Sequence, residues 1–301
     1  LLVDKPSGPT SHDIVARVRR ACGVRRVGHA GTLDPLATGL LPLVVGRATR
    51  LVRFLPDSPK TYRGRLRLGR TTTTDDETGD VLSEHEGDPP AAERVLAAAR
   101  ACEGRQAQLP PAFSARRVAG RRLYELARKG VTATPSPADV EIHRFELRPT
   151  DHPALYDFIA EVSAGTYIRA LARDLGQALA CGGVLTSLVR TRIGPLRLAD
   201  APTWPDPGPD RPWLLDALIP LDRMPLTPPP LDLADPDDAR RFALGAAVRP
   251  GGDRAAGSGL VRVLHPDGTL LGIGERRDGV LQPRVVLPKP ERPVPPTDPS
   301  T

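Results

Sequence analysis

The chain has 301 residues, 40% of them hydrophobic and 26% charged, enough to bury a sizeable core in one large or two unequal domains. No apolar run approaches the roughly 18 residues of a membrane helix, and three widely spaced cysteines with no CxxC or Cys/His cluster exclude a zinc finger or a disulfide framework. A net charge of +6 points instead to an anionic partner, nucleic acid ahead of an acidic membrane surface.

Leu1 to Val3 predict a short strand that stops at the turn Asp4-Lys5-Pro6-Ser7-Gly8. Thr10 or Ser11 then caps a helix with Ile14, Val15 and Val18 on one face and Arg17, Arg19 and Arg20, a solvated face, on the other. Gly28 to Gly39 reads Gly-His-Ala-Gly-Thr-Leu-Asp-Pro-Leu-Ala-Thr-Gly and runs straight into the apolar Leu40 to Val45. Pro35 disfavours the α region for Asp34, so this Asp is expected in an extended or turn conformation at the mouth of a core. Such a carboxylate is a candidate catalytic group; a tight turn with a capping Asp is the plain alternative.

Ala48 to Leu55, with Arg47, Arg50 and Arg53 interspersed, predicts an amphipathic helix. Thr61 to Gly69 alternates basic with apolar residues, a strand with one wet, positive face. Tyr62 near its start serves structure or stacks on a base. Thr71 to Gly79 is a polar loop in which Asp75 and Glu77 are expected to do ordinary turn chemistry. Pro90 to Cys102 predicts a helix that Leu109 to Ser114 breaks. Arg116 to Lys129 is the densest basic segment, read as partly helical, with Tyr124 interleaved; it is either an arm on an RNA backbone or a solvated helix.

Val140 to Leu147 and Leu155 to Val162 predict two strands. Ser163 to Arg169 turns into a helix reaching about Ala180, and this corner places Tyr167 and Arg169 to line a cleft. Thr186 to Leu198 carries Leu188, Arg190 and Arg192. Pro225 to Pro230 predicts a stiff linker. Beyond it, a helix near Asp237 to Leu244 and short strands separated by glycine turns suggest a small β-barrel. Glu291 to Thr301 predicts a disordered tail. Cysteine usage predicts a reduced, cytoplasmic protein. No signal peptide is visible, and the start at Leu1 without Met reads as a trimmed N-terminus.

Five blocks stand in order between Asp4 and Gly176. They are Asp4-Lys5-Pro6-x-Gly8-x-Thr10-Ser11; the Gly28 to Gly39 stretch; Lys60-Thr61-Tyr62; Pro110 to Arg128 with Phe113, Gly120 and Tyr124; and Gly165-Thr166-Tyr167-Ile168-Arg169 with Asp174-Leu175-Gly176. On these blocks the chain resembles the bacterial tRNA pseudouridine-55 synthases, the TruB family. The C-terminal segment resembles, less specifically, that family's small RNA-binding barrel, called PUA.

The resemblance implies an α+β fold, the pseudouridine synthase fold, with a mixed, largely antiparallel central sheet flanked by helices and a small PUA-like C-terminal β-barrel. It implies a catalytic domain over 1–228, with a tRNA-gripping insertion within about 83–142, then a PUA-like domain over 229–290 and the tail over 291–301. The implied reaction isomerises uridine-55 in the tRNA T-loop to pseudouridine, without cofactor, metal, membrane or guide RNA, in a monomer. Asp34 would be the nucleophile, on C6 of the base or on C1′ of the ribose, which the sequence leaves open. Arg169 would pair with it, and Tyr62 would stack on the flipped base and take part in removing the C5 proton.

By the same resemblance, His29 would fill the space the uridine leaves, and Tyr167 and Leu188 would wall the pocket. Asp76 would organise hydrogen bonds, and Lys5 would tie the N-terminal turn to the catalytic loop. Arg117, Arg121, Arg122 and Arg128 would contact the RNA backbone. Thr73 stands where the family often has Asp, Phe113 where it has Tyr, and Arg50 and Arg117 where it has lysines. A guide-RNA-dependent archaeal or eukaryotic relative is one alternative; Ala30, where those relatives often have Ser, and the bacterial-style N-terminus weigh against it. A non-catalytic tRNA-binding or folding protein is another. Asp34, Tyr62 and Arg169 weigh against that, although help with tRNA folding is compatible with catalysis.

Overall fold

The computed structural model describes residues 1–114, 116–118, 121–123, 135–202, 217–251 and 257–287, apart from the side chains of 117, 118, 121 and 122. It opens with β1 (Leu2–Lys5) and α1 (Ser11–Cys22). Thr10 caps α1: its hydroxyl accepts from Asp13 N at 3.1 Å while the Asp13 carboxylate accepts from Thr10 N at 2.8 Å, so two otherwise unpaired amides are satisfied reciprocally. Ile14, Val15 and Val18 are buried, as their spacing predicts. Next come β2 (Val27–His29), β3 (Thr38–Val45) and a 3₁₀-helix at Gly46–Phe54.

The chain continues through β4 (Lys60–Leu68), β5 (Arg70–Thr72), β6 (Val81–Glu84), α2 (Ala92–Ala101), β7 (Gly104–Gln108), β8 (Arg117–Val118) and β9 (Arg121–Arg122). Then follow β10 (Ala138–Pro149), β11 (Leu155–Val162), α3 (Ile168–Ala178), β12 (Gly183–Ile193) and β13 (Leu196–Arg197). A nine-stranded sheet has the order β1-β3-β12-β4-β11-β10-β7, with β2 on β3 and β13 on β12. Among the described residues, β3–β12 is its one parallel pairing, so the expected mixed, largely antiparallel sheet of an α+β fold is present. No helix among these residues is long and apolar enough to cross a membrane.

One row of register partners crosses this sheet: Lys5 opposite Gly39, Gly39 opposite Arg190, Arg190 opposite Tyr62, and Tyr62 opposite Ala160. Gly39 is essential to it. With φ +97°, a Cβ there would lie 2.4 Å from the Arg190 carbonyl oxygen, so only glycine lets β3 meet β12. Gly176 does the same for α3, where a Cβ would come within 2.1 Å of the Gly182–Gly183 backbone.

The chain divides into two compact units. One comprises Leu1–Gly23, His29–Leu43 and Asp57–Ala217; the other comprises Val24–Gly28, Val44–Pro56 and Leu218–Thr301. In the second, β14 (Pro230–Asp232), α4 (Pro236–Ala243), β15 (Gly259–Leu264), β16 (Leu270–Arg277) and β17 (Val280–Val286) form a four-stranded sheet in the order β14-β15-β16-β17 with one helix. Ala239 and Phe242 of α4 bury with Leu231, Val261, Val263 and Leu281.

Three sequence expectations change here. Among the described residues β14 and β17 do not pair, so the second sheet is open, not a closed barrel; the outer edge of β17 is met by Val248, which exchanges backbone hydrogen bonds with Leu281 at 2.9 and 3.1 Å. The amphipathic helix around Ala48 to Leu55 is a 3₁₀-helix, in which Ala48, Leu51 and Phe54 are buried. The Pro225 to Pro230 linker is folded structure: Leu226 is buried, Thr227 N donates to Phe54 O at 2.8 Å, and Pro230 opens β14. The basic arm begins with the β8–β9 ladder; Tyr124, Arg128 and the tail from Glu291 lie outside the described residues.

Candidate active site

The Gly28 to Gly39 stretch leaves β2 at His29, turns through residues 30–37 and re-enters the sheet at Thr38. The turn closes with Ala37 N donating to Asp34 O at 3.1 Å. Asp34 is thereby held outside regular structure, with its side chain 40% exposed. Lys5, fully buried at the end of β1, donates from Nζ to Ala37 O at 2.6 Å and Pro35 O at 3.3 Å, the tie expected of it. Burial lowers the Lys5 pKa to about 8, against the opposing pull of the Asp34 charge.

Arg169 sits in the first turn of α3, its side chain 5% exposed, and its guanidinium serves three elements. Nε donates to Asp34 Oδ2 at 2.9 Å, Nη1 to Thr74 O at 2.7 Å and Nη2 to Phe113 O at 2.9 Å. Asp76 Oδ2 lies 3.6 Å from Nε. The other Asp76 oxygen accepts from Thr74 Oγ1 at 2.7 Å and from Thr78 N at 3.0 Å. A buried cation thus presents an accessible carboxylate, and a buried carboxylate behind it helps to balance the charge.

Asp75 departs from the ordinary turn role. It takes φ +59° and pairs with Arg173 Nη1 at 3.0 Å. Burial raises its pKa against the pull of the Arg173 and Arg169 charges. Arg173 also reaches Asp174 at 2.8 Å and Leu109 O at 2.7 Å. Two arginines one helical turn apart on α3 therefore each clasp the 74–76 loop and the 109–113 segment. Glu77 remains exposed, with its N donating to Leu185 O at 3.0 Å.

Direct polar contact among the expected site residues joins Asp34, Arg169 and Asp76. Tyr62, 6% exposed on β4, and Leu188, 7% exposed on β12, are placed by the sheet; Leu188 is opposite Gly64, two residues before Arg190. Tyr167 immediately precedes α3, and Gln108 clamps its backbone, accepting from Tyr167 N at 2.8 Å and donating to Tyr167 O at 3.2 Å. His29 ends β2; its Nδ1 is buried without a hydrogen-bond partner among the described residues, and burial, then Arg190 and His12, lower its pKa. The side chains of Arg117, Arg121 and Arg122, and all of Arg128, fall outside the described residues. Sequence reasoning missed Gln108, the carbonyls of Thr74 and Phe113, and the buried Arg190; backbone acceptors carry no signature in a sequence.

Two family models match the chain: "TruB family pseudouridylate synthase (N terminal domain)" over residues 19–168 and "Pseudouridine synthase II TruB, C-terminal" over residues 229–287. The tRNA pseudouridine synthase B of Thermobifida fusca is 43% identical over 294 residues, covering 95% of this chain and 97% of the relative. That of Acaryochloris marina is 41% identical, covering 96% and 98%. In overall fold the chain is similar to a structure of a Cbf5-Nop10-Gar1 complex, with TM-score 0.67, 23% identity, and 95% of this chain and 85% of that one covered.

Proposed function

Since the chain belongs to the TruB family of pseudouridine synthases, we propose that it isomerises uridine-55 in the T-loop of tRNA to pseudouridine, unaided by a guide RNA. The carrying observation is the 2.9 Å pair between a buried Arg169 and a 40% exposed Asp34. The guanidinium takes one carboxylate oxygen, and the group stays open to a substrate carbon. Asp34 bonds to C6 of the base or to C1′ of the ribose, and the N1–C1′ bond breaks. The base then turns, C5 bonds to C1′, Asp34 is released, C5 loses its proton and N1 gains one. Tyr62 takes part in the C5 deprotonation.

The target uridine must leave its stack to reach Asp34. His29 enters the vacated space, and Tyr167 and Leu188 wall the pocket. The pKa shift favours neutral His29, which suits insertion among bases. Asp76 and Thr78 hold the loop whose Thr74 carbonyl anchors Arg169. Phe113 contributes its carbonyl, so Phe in place of Tyr leaves that contact unaltered. The C-terminal sheet is assigned an RNA-binding, PUA-like role, and the basic segment from Arg116 the T-arm backbone.

The reading is tested on unmodified tRNA with uridine or cytidine at position 55. The wild type is expected to form one pseudouridine in the first RNA alone, and Asp34→Asn to lose turnover by about a thousandfold or more. Full turnover by Asp34→Asn, or product in the cytidine tRNA, contradicts it.

A further inference from the structure

The turn that carries Asp34 has no ladder to satisfy its carbonyls, and buried backbone acceptors need partners. Backbone amides meet two of them, Asp34 O from Ala37 N at 3.1 Å and Pro35 O from Gly8 N at 2.9 Å, and side chains elsewhere in the unit supply others. Ser11 Oγ donates to Leu33 O at 2.9 Å, Lys5 Nζ to Pro35 O and Ala37 O at 3.3 and 2.6 Å, and Ser7 Oγ to Leu36 O at 3.4 Å. Arg190 takes three more, two in the turn and one on β3: Nη2 donates to Gly31 O at 2.9 Å, Nη1 to Thr32 O at 3.2 Å and Nε to Leu40 O at 2.8 Å.

Arg190 alone among these donors grips the stretch on both flanks of Asp34. Its side chain is among the largest fully buried ones, in the interior of β12. A leucine there would avoid the desolvation of a charge but would leave three carbonyls unpaired. The Arg190 main chain is in register with Gly39 on one side and Tyr62 on the other. One residue therefore fixes the loop, the strand after it and the strand that carries Tyr62.

We infer that Arg190 is a positioning residue for Asp34: its guanidinium, spanning Gly31, Thr32 and Leu40, sets where the carboxylate stands relative to Arg169 and Tyr62. The inference rests on Asp34 being the nucleophile. Arg190 touches no reacting atom and acts through the loop. A misplacement of about 1 Å can cost about a hundredfold in rate, so the effect belongs in the chemical step and not in RNA binding.

The test uses the full chain with Arg190→Lys and Arg190→Met, single-turnover pseudouridine formation with enzyme in excess, and tRNA affinity, all well below each variant's Tm. Both variants are expected to slow the single-turnover rate about a hundredfold while tRNA Kd stays within about twofold. Lysine keeps the charge but cannot span three carbonyls, so it is not expected to rescue. A rate within about threefold of wild type for Arg190→Lys, or a loss confined to Kd, overturns the inference. If Arg190→Met does not fold, Arg190→Lys decides; collapse of both makes Arg190 a folding residue and also overturns it. Wild type and Asp34→Asn run beside them. An inactive wild type or an active Asp34→Asn sinks the nucleophile reading and this inference together. An active wild type, a dead Asp34→Asn and an unimpaired Arg190→Lys sink this inference alone.

Discussion

Arg169 faces two carboxylates, Asp34 as a hydrogen-bond acceptor and Asp76 as an ion-pair neighbour at 3.6 Å, and they are unequal in their need of it. Asp34 is 40% exposed and water can replace its partner, whereas Asp76 is 6% exposed. Removing the arginine therefore leaves a buried carboxylate short of charge, a loss of about 3–5 kcal/mol for such pairs. Arg169→Met is expected to lower unfolding free energy in urea by about that amount, and Asp34→Asn by less than about 1 kcal/mol. Equal losses would mean that Asp76 is not leaning on Arg169. Lys5 gives a pH test. Its pKa is about 8 when folded and 10.5 for an ordinary lysine in water, so above pH 8 the unfolded chain binds more protons and stability rises with pH. Below 8 both states are charged and the penalty is constant. The stability of wild type relative to Lys5→Met is expected to climb between pH 8 and about 10.5, by up to about 3 kcal/mol. A flat difference curve would place the Lys5 ammonium in water.

At the scale of elements, close approaches demand glycine. A Cβ on Gly176 would sit 2.1 Å from the Gly182–Gly183 backbone, while one on Gly251 meets nothing within 4 Å. Gly176→Ala is expected to cost about 2–4 kcal/mol by lifting α3, and with it Arg169, off β12. Gly251→Ala should be near neutral in the same denaturant titration. Alternation made β4 and β11 legible in the sequence, and the capping residues made α1 so. The period of the 3₁₀-helix is nevertheless present in the sequence. Ala48, Leu51 and Phe54 recur every third residue, and so do Arg47, Arg50 and Arg53, which matches three residues per turn better than 3.6. Pro230 in a proline run suggests a linker, yet proline is tolerated as the first residue of an edge strand such as β14. In the candidate site, Asp34 and Arg169 were visible as side-chain types in a known pattern. Arg190 was not, since its three acceptors are backbone oxygens that meet only when β12 closes beside β3.

For the whole molecule, the charge excess is modest: 42 basic against 36 acidic side chains give +6. Attraction for a polyanion therefore depends on where the basic residues cluster more than on their sum. The segment from Arg116 to Lys129 holds Arg116, Arg117, Arg121, Arg122, Arg128 and Lys129 against the single acid Glu125. Its root is tied to the candidate site, because Phe113 O and Leu109 O are held by Arg169 and Arg173. The arginines themselves lie past that anchor in sequence, so removing their charge should leave the Asp34 pair in place. Each phosphate contact contributes about 0.7–0.9 to the slope of log affinity against log salt. The double variant Arg121→Ala, Arg122→Ala is therefore expected to bind tRNA more weakly at low salt, with the slope reduced by about 1–2. Single-turnover rate at saturating enzyme should stay near wild type when the arm serves binding alone. Affinity and rate measured between low and moderate salt separate the outcomes. An unchanged slope makes the β8–β9 ladder a solvated hairpin, and a fall in rate at saturation means that the arm bears on the chemistry as well as on the grip.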